Sequence, residues 1–558
     1  MAENKNQTTE QKTSIASDKQ GSSADCALEN AGEFSSLSSK SSNASKNPTF
    51  PYTSSSKRIA KNTLMLYFRQ ILIMLVSLYT VRVVLATLGA EDYGIYNVVA
   101  GVVVMFGFLS GAMATASQRF FSFELGRGDT EKLKETFSVT ISIYLILILI
   151  IVALAETVGL WFVNKKLVIP NERMNAARWI YQFSIANFAV TLITAPYMAS
   201  IIAHEDMNVY AYASIIEAVL KLAVVFLLKV LPYDKLTVYG LLLLCVGLMN
   251  TSIYRFHCRR HYEECRFRPV WNKAMFREIW GYMGWNLFGS AVGVFNNQIL
   301  NVILNQFFGP VVNAARAVSS QINSAVNSFA SNFSTATRPQ IIKDYAADRV
   351  EETHRLVFRA CKMTFFLMFV LTLPLVLEMP YILRLWLNEV PENTVAFAQL
   401  TLIDALITSM TYPIMTLAQA TGKIKFYQGV VGGLLLCNLP VAYILLRLGF
   451  PPYSVMVGQV AVSVVATAVR LVITNRLSHF SLRRFANKVV IPLVFVVALS
   501  AVVPSSIVWR FGESFLRLCA TLVSGVLLSC MAFLFFGLDK VERRSVMAGI
   551  FRKLGRKG

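Results

Sequence analysis

Four cations and two carboxylates stand inside long apolar runs: Arg69, Arg82, Lys221 and Arg316, with Glu217 and Asp404. A charge at hydrocarbon depth is costly unless it faces water, a partner or a ligand, so each marks a candidate site. Guanidinium groups grip oxyanions through paired hydrogen bonds, and an ammonium serves as a point charge. A carboxylate at the same depth suits a proton or a sodium ion. Each has a plainer reading. Arg82 and Arg316 lie within about two turns of a helix end and can snorkel to headgroups. Glu217 sits four residues before Lys221, the spacing at which helical side chains meet, so the two can neutralise one another. Asp404 can instead hydrogen-bond to a neighbouring helix.

A second feature is amide-rich. Asn297 and Asn301 on one apolar stretch, and Gln321 and Asn323 on the next, belong to a run of polar side chains from Asn286 to Ser328. A lipid-facing helix does not tolerate so many, so one face must line water or another helix. Sugar contacts are the sharper version and interhelical hydrogen bonds the plainer one. His257, Cys258, His261 and Cys265 cluster in an arginine-rich segment, but their spacing matches no zinc pattern and no metal site is expected. There is no Gly-rich nucleotide loop and no nucleophile–base constellation, which argues against an ATP-driven or hydrolytic role and against an enzyme.

The elements that position these residues follow from composition. Hydrophobic residues make up 55% of the 558 and charged ones 15%, more apolar surface than a soluble core needs. The net charge of +21 lies between apolar runs instead of forming one patch, so no nucleic acid partner is expected. About fourteen stretches reach the roughly 20 residues that cross a bilayer as helix. Stretches such as Val139 to Ala155 are continuously apolar, which excludes a transmembrane barrel. With the amino terminus in the cytoplasm, roughly 32 Lys and Arg fall in cytoplasmic segments and roughly 9 outside, which sets the orientation.

Landmarks recur at a shift of about 217 to 220 residues. Leu88-Gly89 pairs with Phe308-Gly309, Arg119 with Arg338, Asn187 with Asp404, and Ala195-Pro196 with Tyr412-Pro413. Six helices separate the copies, an even number, so both halves share one orientation, as in the parallel repeats of secondary transporters. The expected division is a disordered cytoplasmic tail at 1–56, a six-helix lobe at 57–256 and a basic cytoplasmic linker at 257–278. A second six-helix lobe at 279–476, two additional helices at 477–537 and a basic cytoplasmic tail at 538–558 follow. Pro196, Pro374, Pro413 and Pro440 are expected to break helix hydrogen bonding locally.

The segment Val81-Arg82-Val83-Val84-Leu85, followed by Leu88 to Val99, resembles the first hairpin of Wzx-type polysaccharide flippases. These belong to the multidrug/oligosaccharidyl-lipid/polysaccharide (MOP) exporter superfamily, and the resemblance spans residues 57 to 480, including Ser117-Gln118-Arg119-Phe120. It implies a V-shaped, MATE-like pair of lobes around a cavity that opens alternately to either side of a bacterial inner membrane. It also implies an undecaprenyl-pyrophosphate-linked oligosaccharide as cargo, carried outward for O-antigen or capsule synthesis beside a polymerase and assembly proteins. Arg69, Arg82, Lys221 and Arg316 would then meet the pyrophosphate and Asn297, Asn301, Gln321 and Asn323 the sugars. No coupling residue carries over from the family; by their depth alone, Asp404 and Glu217 are the candidates for a coupling proton or sodium ion, and no other cofactor is expected. The rivals are a cation-coupled drug exporter of the same superfamily and a membrane glycosyltransferase or polymerase. The latter needs a large external loop, and the longest here, about 161 to 178, is short.

Overall fold

The computed structural model describes residues 52–104, 106–165, 169–270, 272–387, 389–539 and 542–544. Their regular structure is entirely helical. The long helices are α1 (Arg58–Gly89), α2 (Gly107–Arg127, preceded by helical residues 90–104), α3 (Thr130–Lys165), α4 (Asn171–Ala203), α5 (Met207–Val230), α6 (Lys235–His261) and α7 (Lys273–Phe308). They continue with α8 (Pro310–Ala346), α9 (Val350–Leu377), α10 (Thr394–Ala420), α11 (Ile424–Arg447), α12 (Ser454–Ser478), α13 (Leu482–Arg510) and α14 (Phe515–Gly537). Twelve are long and apolar enough to cross a membrane. The remaining two, α2 and α8, carry too many Ser, Thr, Asn and Gln residues for that test, and they occupy equivalent places in the two halves.

The duplication is written into the backbone. Gly89 after α1 has φ 83° and ψ 167°, and Gly309 after α7 has φ 76° and ψ −169°. That corner of conformational space is open essentially to glycine alone. Left-handed residues recur after α2 and α8, at Gly128 (φ 73°) and Asp348 (φ 58°), and after α4 and α10, at Glu205 (φ 66°) and Gly422 (φ 77°). Three chain reversals thus use one geometry twice, at the same residue shift as the sequence landmarks.

Pro413 and Pro440 interrupt their helices. α10 breaks at Met410 and α11 at Cys437, each three residues before the proline, where the missing N–H leaves a carbonyl without its intrahelical donor. Pro196 and Pro374 behave otherwise: α4 and α9 run through them as continuous helices.

The last two helices fasten to α9. Phe480 and Phe485 meet Phe358 edge-on at 5.5 and 5.7 Å, and Phe533 stacks on Phe366 at 4.0 Å. Near one end of α9, Glu378 accepts from Arg517 Nη2 at 2.7 Å, from Arg517 Nε at 3.1 Å and from Thr521 Oγ1 at 2.9 Å. Toward the other, Lys362 Nζ and Arg359 Nε donate to Glu542 at 2.9 and 3.0 Å. Of the tails expected from sequence, residues 1–51 and 545–558 lie outside the described residues. Tyr52–Ser56 already belong to the first helix, since adding turns to a nucleated helix costs little.

The two halves join toward the end where α6 terminates in Arg255, Arg259 and Arg260, here termed the basic end. Arg69 of α1 donates to Asn332 of α8 at 3.1 Å, and Arg338 of α8 donates to Gln118 of α2 at 3.4 Å. Lys343 Nζ meets Glu205 Oε1 at 2.9 Å. Helices α2 and α8 touch backbone to backbone at Gly126, where an added Cβ would stand 2.6 Å from the Lys343 carbonyl oxygen.

Candidate functional site

Helix α8 packs against α2, α9 and α10. The side it leaves exposed carries Ala314, Ala317, Gln321, Ser324 and Ser331, with the half-exposed Ser328 filling the remaining turn. On α2 the exposed positions Gly107 and Gly111 and the half-exposed Thr115 continue the pattern. A stripe of small and hydroxylic residues has no large apolar chain to offer lipid, so the pair lines a wet cleft between the halves.

The guanidinium of Arg316, 5% exposed, donates to Asn297 O at 3.1 Å, to Asn297 Oδ1 at 3.1 Å, and to Asn301 Oδ1. Three expected site residues therefore form one cluster, and its charge has no counter-ion: Arg316 makes no ion pair among the described residues. Arg69 lies toward the basic end, over the Tyr210 ring at 4.6 Å, and donates to Ser214 Oγ at 3.3 Å besides Asn332. All its partners are neutral. Gln321 is exposed on the stripe, and Asn323 is half-buried with an Oδ1 that meets no donor. Arg82 is exposed and makes no ion pair among the described residues. Lys221 differs: its ammonium lies 2.6 Å from Glu217 Oε1, and Asn250 Nδ2 donates to Glu217 Oε2 at 2.8 Å. That group ties α5 to α6 and carries no net charge.

Asp404 sits in a cavity of about 240 Å³ between α7, α10, α11 and α12. The two proline breaks border it through Thr411 and Asn438. Gln459 Nε2 donates to Asp404 Oδ2 at 2.8 Å, whereas Asp404 Oδ1, Asn296 Oδ1, both amide atoms of Asn438 and Arg470 Nε are buried with no hydrogen-bond partner. Buried polar atoms left this way call for water or an ion. The first half has a cavity of about 320 Å³ at the corresponding place, with Asn187 and Thr191 where the second has Asp404 and Thr408. The copies thus diverged in charge.

The His and Cys cluster is built otherwise. His257 and His261 stack at 4.2 Å, Cys258 turns inward to donate to Tyr197 O at 3.5 Å, and Glu264 pairs with His204 Nε2 at 2.6 Å. Burial raises the Glu264 carboxyl, but its hydrogen bonds, with His204 foremost, outweigh burial and hold it below the usual carboxylate range.

Sequence reasoning left Arg338, Arg470 and Asn332 unremarked as site residues and used Arg119 only as a landmark. Arg119 and Arg338 lie near helix ends, where arginine ordinarily reaches headgroups, so only the three-dimensional pairing of α2, α8 and α10 sets them apart. Arg470 likewise stands about eight residues before the end of α12, and only its place beside the Asp404 cavity sets it apart.

Among solved structures, the chain is similar to one titled as the outward-facing conformation of a multidrug resistance MATE family transporter of the MOP superfamily, at TM-score 0.65 and 14% identity over 76% of this chain and 97% of that one. It is similar to the MATE transporter ClbM in complex with Rb+, at TM-score 0.62 and 16% identity over 76% and 96%. A MOP superfamily transporter from Pyrococcus furiosus, whose title infers a different function from the reverse polarity of its binding pocket, matches at TM-score 0.61 and 13% identity over 75% and 96%. No curated protein matches the chain in sequence. These likenesses establish the fold. A family model, MatE, matches residues 287–444, and one described as polysaccharide biosynthesis protein matches residues 59–343, just over half the chain. The multi-pass helical chain, duplicated with a MATE fold around a polar cleft, therefore belongs to the polysaccharide biosynthesis protein family, flippase-type transporters of the MOP superfamily.

Proposed function

We propose that the chain flips an undecaprenyl-pyrophosphate-linked oligosaccharide across a bacterial inner membrane, from the cytoplasmic to the external leaflet, for surface polysaccharide assembly. The observation that carries this reading is a pair of guanidiniums without counter-ions: the described partners of Arg69 and Arg316 are amide, hydroxyl and backbone carbonyl groups, and Arg69 Nε is buried with no partner. Moving a diphosphate and many hydroxyls through hydrocarbon requires a wet, cationic route, and neutral partners leave the positive charge free to attract it. The amides of Asn297, Asn301, Gln321 and Asn323 offer hydrogen bonds to sugar hydroxyls beside that charge. The prenyl tail stays in lipid.

With the basic end cytoplasmic, the conformation is joined at the cytoplasmic side and poised toward the outside. Asp404 in its cavity suits a coupling proton or sodium ion, and Glu217, spent on Lys221, does not. A drug exporter for cationic cargo would favour carboxylates over unpaired arginines along its route. The test is to delete the gene and measure which lipid-linked oligosaccharide accumulates on the cytoplasmic leaflet. Accumulation relieved by the wild-type chain and not by the Arg69→Ala, Arg316→Ala double variant is expected. No accumulation would remove the proposal.

A further inference from the structure

The exit of α2, Ser117-Gln118-Arg119-Phe120, crosses from one half into the other. Arg119 is 5% exposed, and its Nε and Nη2 donate at 3.2 Å each to Gln419 O and Ala420 O, the last carbonyls of α10. Gln419 O also accepts from the Gly422 N–H at 3.1 Å, and the two carbonyls form the negative end of the helix dipole, so a guanidinium is a fitting cap. The cap fits because residue 422 is glycine. A Cβ there would stand 2.8 Å from Arg119 Nη2, and its φ of 77° disfavours any other residue. Tyr282 OH donates to the same Gln419 O at 3.4 Å, and Gln419 Nε2 donates to Asn286 Oδ1 at 3.3 Å.

The surroundings hold hydrogen-bond donors without acceptors. Gln118 Nε2, Ser122 Oγ and Arg338 Nε are buried with no partner. Gln118 and Ser122 lie one turn apart on the face that carries Arg338's only described hydrogen bond. Neither Arg119 nor Arg338 makes an ion pair among the described residues. Glu124 and Glu278 act on Arg119 through space, but neither forms an ion pair with it, so these buried donors still lack an anionic acceptor within hydrogen-bond distance.

We propose that Arg119, with Arg338, Gln118 and Ser122, is an anion site for a diphosphate group at the basic end of the cleft, occupied in this conformation by the carbonyls of α10. The carbonyls hold the halves together. A diphosphate offers the guanidinium stronger, charged acceptors, so its binding releases α10 and opens the basic end. Arrival of an anionic cargo is thereby the event that unlocks the side from which it enters, which rests on the cargo reading above.

The test reads the distance between spin labels carried on unnatural amino acids at positions 131 and 425, both exposed and in opposite halves near the basic end. The full chain is held in nanodiscs. Without anion the wild type shows the short distance, and millimolar inorganic pyrophosphate adds a longer one. Arg119→Gln removes two charge-assisted bonds and raises the open-to-closed ratio at least about tenfold without anion, with no further response to pyrophosphate. Gly422→Ala displaces the guanidinium but keeps its charge, so it opens the basic end and still responds. Farnesyl diphosphate acting at lower concentration than pyrophosphate assigns the site to a lipid-borne group; equal potency assigns it to the free anion, and either supports an anion site. The proposal falls if both variants keep the short distance, or if neither anion moves the wild type. Export plays no part in the readout, so a chain with another anionic cargo still opens. Closed variants with accumulation still relieved would sink the latch and leave the cargo assignment standing.

Discussion

Replacing Glu378 by Gln tests how the last two helices are held. The Glu378 side chain is fully buried and that of Arg517 is 7% exposed, and the pair shares two hydrogen bonds with a third from Thr521. Gln keeps the shape and one acceptor oxygen but removes the charge, so the guanidinium stays buried without its counter-ion, with the Phe511 carbonyl at 3.1 Å as its other acceptor. Removing one partner of a buried pair costs about 3–5 kcal/mol, whereas replacing both by apolar residues of similar volume is about neutral. Glu378→Gln should therefore loosen α14 from α9, and Glu378→Leu with Arg517→Met should restore the contact. Thermal denaturation of purified protein in one detergent, completed as a double-mutant cycle, gives the coupling, with protease cleavage between α13 and α14 as the local readout. A coupling under about 1 kcal/mol would refute the reasoning, because surface pairs reach that value without burial.

Asp404→Asn should abolish the dependence of glycan export on a proton or sodium gradient while the protein still reaches the membrane; retained dependence in vesicles would remove Asp404 from coupling. Lys221→Met alone leaves Glu217 uncompensated and should lower thermal stability, while Lys221→Met with Glu217→Gln should recover both stability and export, since the pair carries no net charge. Burial raises the Glu542 carboxyl, but Lys362 and Arg359 outweigh it and hold Glu542 below the ordinary carboxylate range. A depressed carboxylate stabilises above its unfolded pKa of about 4.3. Docking of Glu542 on α9 should therefore be intact at neutral pH and lost as pH falls through the lowered value, exposing the segment to protease, and Glu542→Gln should show the same protease sensitivity at pH 7.

The helices were legible because membrane spans announce themselves by length, and the repeat because glycines at reversals are backbone requirements that sequence cannot hide. α2 and α8 fail a hydropathy test for the same reason that they matter: their exposed sides line the cleft. Asp404 was legible from depth and from its offset to Asn187. Whether an arginine keeps its charge was not, because that depends on partners far along the chain. Lys221 has a carboxylate one turn away, whereas Arg69 finds Asn332 across the junction. Pro196 and Pro413 occupy equivalent positions and both are buried, yet only the second breaks its helix, and nothing in the local sequence separates them.

The most direct test of a cationic route is transbilayer movement of undecaprenyl-pyrophosphate-linked oligosaccharide in proteoliposomes, read by enzymatic access to the glycan from outside. The wild type should move it, and Arg69→Ala with Arg316→Ala should move it at least about tenfold more slowly, as loss of charge-assisted bonds to phosphate requires. Movement by the double variant at the wild-type rate would contradict the account.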